Sequence, residues 1–194
     1  MGWTEPRDWV TGEVVTAANM NTHVRDNFLV VGSALLLPVM TPPQLLTPQG
    51  FLTLSAATAA VVDRLYAVPL TVPGTTTFDR IILLGSEAVG NARMGIYSSS
   101  AGAPGALILD AGAVALGAVN TTITISQELT GPEKYWLAIV FDSTPNVAVA
   151  QPVGIAPWAE LTFTYAALPN PYGTVNSYIL TGTAAVPQMA LRTA

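Results

Sequence analysis

No cysteine occurs in the chain, and histidine and lysine occur once each. The first absence excludes disulfides and thiol chemistry and is compatible with synthesis in a reducing cytosol. His23 has no cysteine or second imidazole to help it complete a zinc site, and it lies in a predicted helix beside Arg25 and Asp26, so a structural or interface role is expected. Charge is also scarce, at 10% of residues against about 25% in ordinary globular domains. With six scattered arginines and a net charge of −5 there is no basic stripe, so nucleic acid is not an expected partner. Long hydrophobic runs are missing too. The most apolar stretch, residues 28–40, contains Pro38 and falls short of the roughly 20 residues that a membrane-spanning helix needs. Met1 is followed by Gly-Trp-Thr-Glu-Pro-Arg-Asp, with no basic segment or apolar core, so no secretory leader is expected.

What the chain does have is apolar and small: 51% hydrophobic residues, with abundant Ala, Val, Thr, Gly and Pro. A monomer with so little charge would be expected to expose large hydrophobic patches, and such patches mark interfaces. The composition therefore reads as that of a subunit of an assembly.

Two domains are expected, residues 1–60 and 61–194. The first 15 residues carry Trp3 and Trp9 and no steady period, which suggests an extended arm whose tryptophans anchor in partner pockets or fold back on the chain's own β domain. Thr16 is a good N-cap, with Val15 placed to staple against Met20, so one short α-helix is expected over about 16–35. Ala17, Met20, Val24, Asn27 and Val31 recur at coiled-coil spacing, with one polar Asn in the seam. The stripe Met20, Val24, Phe28 and Val31 fits packing on a single domain almost as well. Trp3, Trp9, Met20, Val24, Asn27, Phe28 and Val31 are thus the candidate attachment and oligomerisation residues. No charged residue occurs between Leu29 and Val62, and Pro38, Pro42, Pro43 and Pro48 punctuate that run, which reads as a joint laid against protein.

From about Val61 the pattern changes to short runs rich in Val, Ile, Thr, Tyr and Phe between Gly, Pro, Ser and Asn. Strands are expected at 65–72, 77–84, 92–97, 106–109, 121–129, 135–142, 158–165 and 177–180. The run Tyr135-Trp-Leu-Ala-Ile-Val-Phe141 is apolar throughout, as for a strand covered on both faces. Ser98-Ser-Ser-Ala-Gly-Ala-Pro-Gly105 reads as a loop at an exposed tip. The expected fold is mostly β, a jelly-roll-like β-sandwich preceded by the arm and helix.

Chemistry is thinly represented. There is no EF-hand spacing, P-loop or dinucleotide fingerprint, and no cofactor, metal site or enzymatic activity is expected. Asp79, Asp110 and Asp142 fall at expected strand ends or turns, where capping explains them. Tyr97, Trp158 and Tyr172, with Asn170 near in sequence, are candidates for stacking against a host-surface glycan. The competing expectation makes Tyr97 and Trp158 core or interface residues.

The segment Trp9-Val-Thr-Gly-Glu-Val-Val-Thr-Ala-Ala-Asn-Met-Asn-Thr-His-Val-Arg-Asp-Asn27 resembles an N-terminal element that recurs in tailed-phage and prophage virion proteins. Tyr66-Ala-Val-Pro-Leu, Thr77-Phe-Asp-Arg-Ile81, Arg93-Met-Gly-Ile-Tyr97, Gly102-Ala-Pro-Gly-Ala-Leu-Ile-Leu-Asp-Ala-Gly112 and the 135–141 run resemble the β-sandwich domain of phage tail-fibre and other surface proteins. The resemblance implies a virion structural protein, a homotrimeric tail-fibre or receptor-binding subunit. It further implies attachment to other virion proteins through the arm, on the tail or the head of the particle. A capsid decoration or head-fibre protein and a prophage-derived carbohydrate-binding module are the alternatives.

Overall fold

The structure is a computed structural model, and it describes residues 44–48, 51–152, 158–174, 177–179 and 186–194. Trp3, Trp9, His23, the expected helix and every residue of its seam lie outside the described residues. Thirteen strands follow in chain order: β1 (Leu45–Leu46), β2 (Phe51–Ala59), β3 (Arg64–Val72), β4 (Thr76–Leu84), β5 (Asn91–Ser100), β6 (Ala103–Ala115), β7 (Asn120–Leu129), β8 (Glu133–Phe141), β9 (Asn146–Pro152), β10 (Trp158–Thr162), β11 (Ser177–Ile179), β12 (Val186–Pro187) and β13 (Met189–Thr193). Among the described residues there is no helix.

All pairings are antiparallel. One sheet has the order β1-β13-β4-β7, a second β11-β10-β3-β8-β5-β6, and a third β12-β9-β2. Without β10 and β11, the first two reduce to four-stranded sheets whose strand orders are those of a jelly roll, as expected. The third sheet joins the first where the chain passes from β12 to β13. There Gln188 donates its N–H to Ala148 and accepts from the N–H of Leu84.

Each of the eight expected runs lies on an observed strand, with some bounds changed. Strands β1 and β2 lie upstream of residue 61, and the compact unit that contains them spans Thr41–Ala194. The sandwich therefore takes up residues that the composition assigned to a joint. The expected loop at 98–105 is a hairpin in which Ser100 pairs with Ala103. Ala101 (φ 49) and Gly102 (φ 83) both adopt left-handed backbone there, the requirement of a two-residue type I′ turn. Small residues lowered the apparent strand signal, but the ladder needs only backbone. The run expected at 158–165 ends as a strand at Thr162; the Phe163 N–H still bonds the Asp63 carbonyl (2.9 Å) in the ladder's register, and the Tyr165 N–H then turns to the Asp63 carboxylate (2.9 Å).

The main core lies between the sheets. Tyr66, Val68, Leu70, Met94, Ile96, Leu137, Ile139 and Phe141 of the six-stranded sheet meet Phe78, Ile81, Leu83, Met189 and Leu191 of the four-stranded one, with Val147, Val149 and Val186 from the third. The opposite face of the six-stranded sheet carries a second core of Leu65, Ala67, Tyr97, Trp136, Ala138, Val140 and Ala159, closed by Leu168 and Tyr172. Strand β8 is therefore buried on both faces, as its unbroken apolar run implies.

The second core depends on a row of small residues. Ala159 pairs with Ala67, Ala67 with Ala138 and Ala138 with Gly95, so one register line crosses four strands with almost no side-chain bulk before it reaches Asp110 on β6. Residues 163–174 run over this trough as a strap. At Gly95 a Cβ would come within 2.3 Å of Leu168 Cδ1 and 2.5 Å of the Leu109 carbonyl oxygen, so glycine makes the room that Leu168 fills.

Candidate functional site

The aromatic residues proposed for sugar stacking are not on the surface. Tyr97 and Tyr172 are 0% exposed and Trp158 2%. Tyr97 and Tyr172 meet edge to face, 5.1 Å between centroids, beneath the strap. Their hydroxyls donate to backbone carbonyls, Tyr97 to Pro169 (2.9 Å) and Tyr172 to Leu65 (2.9 Å). Burial raises the Tyr97 hydroxyl far above its ordinary pKa. Trp158 packs beside Tyr66, 6.1 Å away, in the main core. Asn170 is exposed, but its side-chain oxygen accepts the Leu107 N–H at 3.1 Å and so fixes the strap. Tyr66, Phe78, Tyr135, Trp136 and Phe141 are buried as well, and Phe163 and Tyr165 are half-buried. Tyr97 and Trp158 are core residues, as the competing expectation has them, and Tyr172 joins them inside.

The carboxylates expected to be structural are held by neighbours. Asp110 forms a two-pronged pair with Arg93 (Nε to Oδ1 2.9 Å, Nη2 to Oδ2 2.8 Å) and accepts the N–H groups of Gly112 (2.9 Å) and Leu168 (3.1 Å). Burial pushes its pKa up, but the Arg93 hydrogen bond and the two N–H groups outweigh that and leave it below the ordinary value. Asp79 sits where the β4 register shifts against both neighbours, and Arg80 faces Arg192 across the strands. Its carboxylate bonds Arg192 and lies 3.9 Å from Arg80, relieving the like-charge pair. Asp142 follows β8 and accepts the backbone and side-chain N–H groups of Asn91, both at 2.7 Å; the backbone bond is the main cause of its lowered pKa. Asp110 and Asp79 lie within strands, at bulges, and not at strand ends. Among the described residues no group of three or more His, Asp or Glu side chains is placed to hold a metal ion.

The two ends of the sandwich differ. At the near end Gln44 pairs with Thr193 and Ala194 donates to Thr77, beside the connections 73–75, 101–102 and 130–132. These connections are made of Pro, Gly, Thr and Ala. The far end, about 25–30 Å away along a nine-residue strand, is built from residues 60–63, 85–90, 116–119 and 142–146. Backbone bonds tie these together: Ala60 to Pro145, Ser86 to Val119, Glu87 to Asn146 and Leu116 to Gly90. Of the six large hydrophobic side chains exposed among the described residues, four are at this end: Val61 (44%), Val62 (38%), Val89 (44%) and Val119 (71%). An open hollow of about 370 Å³ lies beside Val119, lined also by Gly85, Ser86, Glu87, Ala118 and Asn146.

The sequence signal for this end is weak but present. Val89 and Val119 are single valines inside turn segments, Glu87-Ala-Val-Gly90 and Gly117-Ala-Val-Asn120, where no strand period requires them. Away from the ends, the expected patches are largely replaced by small polar residues, as with Thr122, Thr124 and Ser126 along the exposed face of β7. Comparison with protein-family profiles, with curated proteins and with solved structures finds no match.

Proposed function

We propose that the chain is a structural subunit of a tailed-phage particle, of the tail-fibre or receptor-binding type. It is trimeric, is held to the particle by its N-terminal residues and displays the sandwich at the particle surface. The observation that carries this reading is the string from Trp9 to Asn27, which resembles a virion attachment element and lies in a part of the chain separate from the compact unit Thr41–Ala194. The jelly-roll sandwich is in keeping with a display domain. The described arginines offer no basic face: Arg64 pairs with Glu160 at 3.0 Å, Arg93 with Asp110, and Arg80 and Arg192 with Asp79.

Immunogold labelling of purified particles with an antibody against the sandwich tests this. Label on the tail is the expected result. Label over the head lattice would replace the tail reading with capsid decoration, and particles without label, from a lysate that contains the chain, would overturn the virion role. Removing residues 1–15 should leave a folded sandwich that is absent from particles. Light scattering of the intact chain should give the mass of a trimer, and a monomer at micromolar concentration would remove that part of the proposal.

A further inference from the structure

We infer that the far end of the sandwich is the face that grips the target, and that the target is a protein surface carrying an aliphatic patch bordered by basic side chains. This rests on the particle role proposed above. Gln44, the first described residue, sits beside Thr193 at the near end, and residues 60–63, 85–90, 116–119 and 142–146 form the opposite end of the same sandwich.

That end has the properties of a contact surface. Four valines project from it, and Val119, the most exposed, stands at the edge of the hollow. The segments under them are braced by side chains as well as backbone: Ser143 donates to the Val89 carbonyl (2.9 Å), and Asn146 donates its side-chain N–H to Glu87 (2.9 Å). A braced apolar surface loses little conformational freedom on binding, which favours affinity.

Charge and ring chemistry select the partner. Glu87 and Asp142 are exposed around the valines, with Asp63 half-buried nearby, and the adjacent guanidinium, Arg64, is already paired with Glu160. An acidic border complements a basic one. Glycan recognition draws on exposed aromatic rings, and no aromatic residue occurs in the far-end segments 60–63, 85–90, 116–119 and 142–146. Valines meet aliphatic protein surface instead.

The test uses the intact chain, fluorescently labelled, and cells of the host strain. Val89→Asp with Val119→Asp should cut cell binding by about tenfold or more, as loss of central apolar contacts does. Thr75→Asp with Thr130→Asp at the near end should leave binding within about twofold, since rim changes distant from a contact are nearly neutral. Melting curves for both pairs confirm folding. Protease treatment of the cells should abolish binding, periodate oxidation of their glycans should not, and added salt should weaken it. Normal binding by the Val89/Val119 pair, periodate-sensitive binding, or an intact chain that does not bind cells would each overturn the inference. Absence from particles would overturn the particle role instead, so the two failures are distinguishable.

Discussion

The two faces of the six-stranded sheet are buried by different physics. On the inner face, large side chains such as Leu137, Ile139 and Met94 meet Phe78 and Leu191 from a regular sheet. Stability there follows apolar area and packing. On the outer face the covering segment has no ladder of its own. It is held because the sheet supplies a trough of Ala and Gly, and because backbone N–H groups along it are individually matched, Leu168 to Asp110, Tyr172 to Gly105 and Tyr165 to Asp63, while the Asn170 side-chain oxygen accepts from Leu107. Burying irregular backbone demands such matching, since an unpaired buried group costs about 1–3 kcal/mol. One sheet can thus be covered by volume on one side and by hydrogen-bond accounting on the other.

The largest test of this contrast is Phe78→Ala. It removes a fully buried ring from the inner face and should cost about 3–5 kcal/mol in urea denaturation, with the whole domain unfolding at a lower midpoint. Asp110→Asn acts on the other face. It breaks the Arg93 pair and weakens the Leu168 contact, with an expected cost of about 1.5–3 kcal/mol. Hydrogen exchange should show the Leu168 amide opening first while β8 stays protected; simultaneous loss at both would mean the strap and sheet are one cooperative unit.

The acid response follows from the same groups. Asp110, Asp79 and Asp142 all have folded pKa values below their ordinary ones. The unfolded chain therefore binds more protons at the ordinary carboxylate pKa of about 3.9, so their stabilisation is complete above that pH and is lost as pH falls through the depressed values. Melting temperature should be flat from neutral to weakly acidic pH and then drop, and the drop should be smaller in Asp110→Asn.

Gly95→Ala has a smaller expected effect, about 1–2 kcal/mol, because the added methyl meets a movable Leu168 but also the fixed Leu109 carbonyl. A neutral result would show that the strap lifts freely. Ala101→Asn should be the smallest change and of opposite sign, a gain of about 0.5 kcal/mol, since Asn-Gly suits a type I′ turn better than Ala-Gly.

These contrasts were unevenly legible in the sequence. Strand β8 announced its double burial, because only a strand covered on both sides tolerates seven apolar residues in a row. By contrast β13, Met-Ala-Leu-Arg-Thr, has little β propensity of its own; its state is imposed by β1 and β4 on either side. Strand β2 lies in the uncharged stretch next to Pro48, and β9 is short and rich in Ala, so neither stands out from a linker by composition. The small-residue trough was invisible because its members come from four separate strands and mean nothing until register aligns them. The same applies to the far end, where valines from three segments of the chain become one surface only after folding.

The pairing of Gln44 with Thr193, 149 residues apart, also sets how the domain assembles. Closing so long a loop costs roughly 4 kcal/mol of chain entropy before its contacts give anything back. The β5–β6 hairpin closes locally through Ala101–Gly102 and adds β8 as its neighbour, so it is the natural starting point. Strand β13 must then thread between β1 and β4 from the other end of the chain. Refolding should accordingly run on the millisecond-to-second scale of non-local β proteins, and until that late step the unfilled edge of β4 is the place where one chain can capture a strand of another.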